Sequence, residues 1–242
     1  MTDSVGAASG NRLIDSLPLQ QRRQLLAPCD TVSMQFGACL AEKAQRIRHV
    51  YFPLTGFASL VISVNGHKPL ELNMIGNEGM VGAELVLGTR NAPYTSVVQG
   101  SGTALRLGAS AFGKQLDASP ELRRICNRYF SILVEQFAQS IACNCFHDVS
   151  QRLARWLLTT HDRADGKDME LTHAFLATML GVRRSAVTIA AGNLQQKKLI
   201  SYSRGHIRVL SRSGLEEMSC ECYAASVRAH EVGLLAASGP RG

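Results

Sequence analysis

Residues 171–210 read LTHAFLATMLGVRRSAVTIAAGNLQQKKLISYSRGHIRVL, and this stretch leaves little freedom in how it can fold. Phe175, Leu176, Met179 and Leu180 recur at helical spacing behind Thr172, a good N-cap residue. Gly181 follows, where a positive φ carries no Cβ penalty. A second helix is predicted over 183 to about 196, with Val187, Ala190, Ala191 and Leu194 on its inner face. Leu199 and Ile200 lead into two short strands, 201–203 and 207–210, around a tip of Arg204, Gly205 and His206. Helix, glycine turn, helix and hairpin together are the layout of a winged helix-turn-helix. That module lays its second helix in the major groove of DNA.

Charge points the same way. Arg183, Arg184, Lys197, Lys198, Arg204, Arg208 and Arg212 fall within 171–215, and no Asp or Glu does. The whole chain has 26 Lys and Arg against 19 Asp and Glu, a net charge of +7, so the residues outside this segment are electrically neutral. A solvated face normally mixes both signs, whereas an acid-free basic block is the footprint of a polyanion partner. At the start of the second helix, Arg183, Arg184, Ser185 and Thr188 are placed to read base edges, and Ile189 to touch a thymine methyl. Thr172, Lys198, Arg204 and Arg208 are placed to hold phosphates, which set register without reading sequence. Double-stranded DNA is therefore the expected partner.

A length of 242 residues suits two domains, and 45% apolar residues suffice for a sizeable core. No run of about 18 apolar residues occurs, so no membrane partner is expected. The first residues, MTDSVGAASGNR, lack a basic n-region followed by an apolar run, which favours a cytoplasmic protein with a disordered stretch at 1–10. The seven cysteines are an odd number, as expected of free thiols in a reducing compartment. Two short runs, CNCFH at 143–147 and CEC at 220–222, invite a metal or redox reading. Neither has C-x₂-C spacing, and residues two apart on a helix point about 200° apart. No metal site and no cofactor are expected on that ground. No nucleophile motif, glycine-rich phosphate loop or zinc-protease helix is present, so no catalytic residues are assigned and the chain is not read as an enzyme.

Taken in order, residues 11–26 suggest a short helix limited at Pro18. Strands are predicted over 46–52, 57–64 and 70–75, the last two joined through Asn65-Gly66, and over 94–99 and 103–107, separated by Gly100-Ser101-Gly102. This spacing indicates an antiparallel β-roll at 11–118. Ser119, Pro120 and Glu121 open a long helix, 119–147 with its hinge. Its apolar residues cover more than one face, so a two-fold dimer through Leu122, Ile125, Tyr129, Ile132, Leu133 and Phe137 is expected. Asp148 and Gln151 form a capping-box pattern at the start of the next helix, with Asp165-Gly166 as a later turn. A DNA-binding unit at 148–223, ending in a helix over 211 to about 223, precedes a tail at 224–242. The fold class is α+β: a jelly-roll-like β-roll, a long dimerisation helix and a C-terminal winged helix-turn-helix.

At these residues the chain resembles the Crp/Fnr superfamily of bacterial transcription regulators. The resemblance rests on Leu171-Thr172, Leu176-Ala177, Leu180-Gly181-Val182-Arg183-Arg184, Val187, Leu194, Leu199-Ile200 and Arg204-Gly205-x-Ile207, and upstream on the run RLARWLL at 152–158. It implies a cyclic-nucleotide-binding-like sensor, a homodimer, an inverted-repeat operator and RNA polymerase as a candidate partner. The sensor half departs from the ligand pattern. Glu84 stands one residue out of register with the family's ribose-binding glutamate, and Tyr94 stands where its phosphate-binding arginine would be. Gly82, Glu84, Tyr94 and Thr95 are the candidate pocket for an unknown effector, and cyclic AMP is not expected to bind. The N-terminal cysteine cluster of the iron–sulfur branch is absent. The rival reading is a small-molecule or redox sensor acting through a protein partner, and the acid-free block argues against it.

Overall fold

The computed structural model describes residues 8–65, 67–164 and 168–235. Gly66, the Asp165-Gly166 turn, residues 1–7 of the stretch expected to be disordered and residues 236–242 of the expected tail lie outside them. Two short helices open the chain, α1 (Arg12–Asp15) and α2 (Leu19–Leu26). Asn11 caps α1 through its side-chain oxygen, while its amide donates to the carbonyls of Pro53 and Gly79. Residues 8–10 are thus placed rather than frayed, with the Ser9 amide on Asp15. The single helix expected over 11–26 is broken, because Pro18 becomes the N-cap of α2.

Seven strands follow: β1 (Asp30–Met34), β2 (Cys39–Ala41), β3 (His49–Pro53), β4 (Phe57–Ile62), β5 (Leu70–Ile75), β6 (Thr95–Gly100) and β7 (Gly102–Gly108). They form two antiparallel sheets, in the orders β1-β7-β3 and β2-β6-β4-β5. The sequence pairs β6 with β7 as neighbours, but Ser101 carries the chain from one sheet to the other and the two strands never pair. This is a β-roll, closed at one end by α3 (Ala109–Ala118) and by α4 (Pro120–Phe146), which Ser119 caps and Pro120 begins.

The first half of α4 fills the roll. Leu122, Ile125, Cys126, Tyr129 and Leu133 join Val50, Phe52, Met80, Leu107 and Phe112 in one core. Tyr129 is fully enclosed, and its hydroxyl donates to the Met80 carbonyl. Gly79 is required beside it, since a Cβ there would lie inside van der Waals contact of the Tyr129 ring and hydroxyl. Gly79→Ala is expected to cost about 1–3 kcal/mol by overpacking, read as a lower urea midpoint at unchanged slope. An unchanged midpoint would mean that the ring relaxes freely.

The C-terminal unit comprises α5 (Val149–Arg163), β8 (Asp168–Glu170), α6 (His173–Leu180), α7 (Arg184–Gln196), β9 (Ile200–Ser203), β10 (His206–Val209), α8 (Arg212–Met218) and α9 (Cys222–Leu235). Asp148 and Gln151 make the reciprocal capping box at the start of α5. Leu153, Trp156, Leu157, Leu176, Leu180, Val187, Leu194, Ile200, Ile207 and Leu215 share one core, which continues into the roll through Phe57 and Met74. At that junction the Trp156 indole and the Ser59 hydroxyl both donate to Glu71, whose carboxyl burial pushes up to about 7. Burial would also raise the nearby Glu78, but the Arg163 guanidinium holds it down at about 2.

The expected tail at 224–242 is corrected over its described part. Residues 222–235 form α9, which packs along α4 with His230 against Gln136 and Cys222 against Gln139. The helix expected over 211–223 ends at Met218, and α9 starts afresh after a turn at Ser219–Glu221. Among the described residues, no single helix is long and apolar enough to cross a membrane.

Candidate nucleic-acid interface

Helices α6 and α7 meet at a bend of 108°, within the range of helix-turn-helix pairs. Thr172 caps α6, its hydroxyl oxygen accepting from the Phe175 amide. Gly181 ends α6 at φ 65, and a side chain there would also press on Leu70. The Arg152 guanidinium donates to the Leu180 carbonyl, tying the end of α6 to α5. The turn between the helices is therefore held from both sides.

Val187, Ala190, Ala191 and Leu194 turn inward, which leaves Arg184, Ser185, Thr188 and Ile189 exposed on the outer face of α7. Arg183 is the N-cap of α7 rather than its first residue, and is also exposed. Thr188 is not free to swing: its hydroxyl donates to the Arg184 carbonyl and lies 3.0 Å from His173 Nδ1. The His173 ring stacks on Tyr202 at 4.2 Å, so α6, α7 and the wing are braced together. Burial, then the charge of Arg184, lowers the His173 pKa, which keeps this imidazole neutral. The sequence reading did not include His173 and Tyr202. It also passed over Asn193 and Gln196, exposed one and two turns further along α7.

The wing is a three-stranded sheet, β8-β10-β9, one strand more than the expected hairpin. Its tip is the two-residue turn Arg204-Gly205, both at positive φ (49 and 86), as a type I′ turn requires. Arg204, Arg208, Lys198 and Thr172 are all exposed, and the Thr172 methyl borders Gly205 at the tip.

The candidate effector pocket is corrected. Glu84 and Tyr94 are both buried, and the Tyr94 hydroxyl donates to the Glu84 carboxylate inside the roll. Burial raises the Glu84 pKa, which favours this shared hydrogen bond over a separated charge. Phe137 packs edge-on against Tyr94 at 5.8 Å, and Leu60, Ile75 and Val81 complete the cluster. Gly82 lies in a left-handed turn leading into the 3₁₀ segment Ala83–Leu87, and the Thr95 hydroxyl oxygen accepts from the Lys43 amide. Gly82, Glu84 and Tyr94 therefore pack the interior rather than line an opening, and Thr95 is half-buried at the start of β6. Cyclic AMP is expected to leave the melting temperature unchanged. A clear rise at modest concentration would show that this core opens for it.

The expected dimer residues are corrected too. Leu122, Ile125, Tyr129, Ile132 and Leu133 are buried in their own subunit, and Phe137 is half-buried against Tyr94. These side chains fill the roll or line it. The opposite face carries Asn127, Ser131, Val134, Ala138, Ile141 and Cys145, all exposed and spaced by alternating fours and threes.

The structure joins the two cysteine runs that the sequence treats separately. Ligand atoms of Cys143, His147, Cys220 and Cys222 all lie within 4.8 Å of one another, while Cys145 points outward.

Fold and site together define a β-roll joined by a long helix to a winged helix-turn-helix with an exposed basic face. Residues 151–218 match the Crp-like helix-turn-helix domain, and the chain as a whole has the fold of the Crp/Fnr regulators. A putative Crp/Fnr-family transcriptional regulator from Eubacterium rectale is similar at 16% identity and TM-score 0.68, over 87% of this chain and 99% of that one. FixK2 from Bradyrhizobium japonicum is similar at 13% identity and TM-score 0.67, over 79% and 98%. The Crp/Fnr-family regulator TTHA1359 from Thermus thermophilus reaches 22% identity at TM-score 0.61, over 78% and 98%. No curated protein matches the chain.

Proposed function

We propose that this chain is a sequence-specific DNA-binding transcription regulator that grips an inverted-repeat operator as a homodimer. The observation that carries the reading is the exposed basic face formed by the N-terminal half of α7 and the β9–β10 hairpin, both free of Asp and Glu, on a helix-turn-helix frame. Arg183, Arg184, Ser185 and Thr188 read bases, while Thr172, Lys198, Arg204 and Arg208 hold phosphates. The exposed α4 stripe Ser131, Val134, Ala138, Ile141 and Cys145 has the 3.5-residue repeat of a two-helix seam, and it pairs the two subunits. RNA polymerase is the protein partner such a regulator addresses. Its effector is a small molecule other than a nucleotide held by Glu84 and Tyr94, and the chain carries no catalysis.

Footprinting on genomic fragments tests the reading. Two protected half-sites should appear, centred about one helical turn (~34–36 Å) apart. If each dimer neutralises six to ten phosphates, affinity should fall ~10³-fold or more between 50 and 200 mM salt. Binding indifferent to both sequence and salt would overturn it.

A further inference from the structure

The two cysteine runs meet at the corner where α4 ends and α5 begins. Cys143 and His147 are four residues apart at the C-terminal end of α4, so they share a face, and His147 is the C-cap. Cys220 and Cys222 lie in the turn between α8 and α9, where alternation along a helix does not apply. Cys143 Sγ is 3.6 Å from Cys220 Sγ, and Cys222 Sγ is 3.5 Å from His147 Nδ1. Tetrahedral zinc, with Zn–S ~2.3 Å and Zn–N ~2.0–2.1 Å, sets its ligand atoms ~3.8 Å (S to S) and ~3.6 Å (S to N) apart. The two measured edges match those of such a tetrahedron.

We propose that Cys143, His147, Cys220 and Cys222 form a structural zinc site of the Cys₃His type. The three cysteines are buried and the imidazole is 15% exposed, so water has no open coordination position. Such closed four-ligand sites are structural rather than catalytic. The surrounding groups suit a metal as well as the ligands do. His147 presents Nδ1 to the site, while its Nε2 lies 3.3 Å from the Glu221 carboxylate, the partner that fixes ring orientation in many metal-bound histidines. Gln139 Nε2 donates to Cys222 Sγ at 2.9 Å, a hydrogen bond that stabilises a thiolate. Three thiolates and one Zn²⁺ leave a charge of −1, and Arg152 and Arg155 line the cleft beside Cys143. On binding, three S–H bonds break, three Zn–S bonds form, and the protons go to solvent.

Thiolate and imidazole ligands at tetrahedral spacing select zinc over magnesium, calcium or manganese, which prefer oxygen. The consequence is a staple. The site fastens the hinge after the long helix to the turn that follows the winged domain, 77 residues away in the chain between Cys143 and Cys220. It stands independently of the DNA-binding reading.

The test is metal analysis of the full chain, purified under reducing conditions without chelator from zinc-supplemented cells. One zinc per chain is expected, with three sulfurs and one nitrogen around it by X-ray absorption. Cobalt(II) exchanged into the wild-type chain should give the intense visible bands of a tetrahedral site with sulfur-to-cobalt charge transfer. Cys222→Ser should lose the metal, and Cys145→Ser, whose thiol lies outside the site, should keep it. If Cys222→Ser fails to fold, the absorption and cobalt spectra of the wild type still decide. A chain that takes up neither Zn²⁺ nor Co²⁺ would overturn the proposal. So would isolation with iron in place of zinc, a folded Cys222→Ser that keeps its zinc, or a Cys143–Cys220 disulfide in the freshly reduced protein.

Discussion

Arg184→Ala is expected to weaken operator binding by about 1–3 kcal/mol in each half-site, roughly 5- to 150-fold per half-site, and to relax preference at one base pair in each. Arg184 is the first residue of α7, exposed on its outer face, and its backbone carbonyl is held by Thr188. Its guanidinium can therefore project beyond the helix end without disturbing the core. If Arg184 reads a guanine, removing it takes away a bidentate donor, and the loss should fall on operators that carry that guanine. Lys198→Gln makes the contrast. Lys198 lies beyond α7 in the turn before the wing and is assigned a phosphate in the proposed function, so the loss should be equal on all sequences and the salt slope shallower by about two, one for each subunit. Titration of both variants against operator and scrambled duplexes checks this. If Arg184→Ala loses equally on every duplex, Arg184 holds phosphate and base reading belongs elsewhere on α7, with Asn193 and Gln196 next in line.

The features legible in the sequence were those written locally. The Ser119, Asp148 and Thr172 caps and the glycine turn at Gly181 depend on a few adjacent residues, and all stand where their patterns place them. The exposed face of α7 was legible for the same reason, since one inner stripe dictates which residues face out. What depended on distant partners was not. Gly100-Ser101-Gly102 announces a sharp turn, but nothing local says that the turn leads to the other sheet. Helix α4 is apolar on more than one side, and only its packing on the roll decides the allocation: Tyr129 and Leu133 are enclosed, while Ser131, Val134, Ala138 and Ile141 stay outside. Glu84 and Tyr94 look like displaced ligand residues until they are seen satisfying each other. In the cysteine runs the informative pair was Cys143 and His147, four apart on one helix face, rather than Cys143 and Cys145. Their partners lie far along the chain, in a turn whose position depends on α9 packing back on α4.

Ile141→Asp is expected to abolish dimerisation while leaving the subunit folded. Ile141 is 66% exposed and Val134 51% exposed, on a stripe whose remaining members are small or polar. Because Ile141 lends little to its own subunit, an aspartate there should shift the subunit's melting temperature only slightly. In a two-fold seam the same substitution acts twice. Each aspartate faces its own symmetry mate or a neighbouring apolar side chain, and burying two unpaired carboxylates costs several kcal/mol. Sedimentation at micromolar concentration should find a dimer for the wild type and a monomer for Ile141→Asp. Operator affinity should fall by more than ~100-fold, because two linked half-sites outbind one by about that factor or more. Leu133→Ala distinguishes the faces. Leu133 is enclosed in the roll, so this truncation should cost about 2–5 kcal/mol of folding stability while the folded fraction still dimerises. A dimer that survives Ile141→Asp but not Leu133→Ala, with Leu133→Ala still folded, would return the seam to the inner face and require α4 to leave the roll. The geometry weighs against that, since Tyr129, Leu133 and Phe137 would have to exchange an existing core for a partner's.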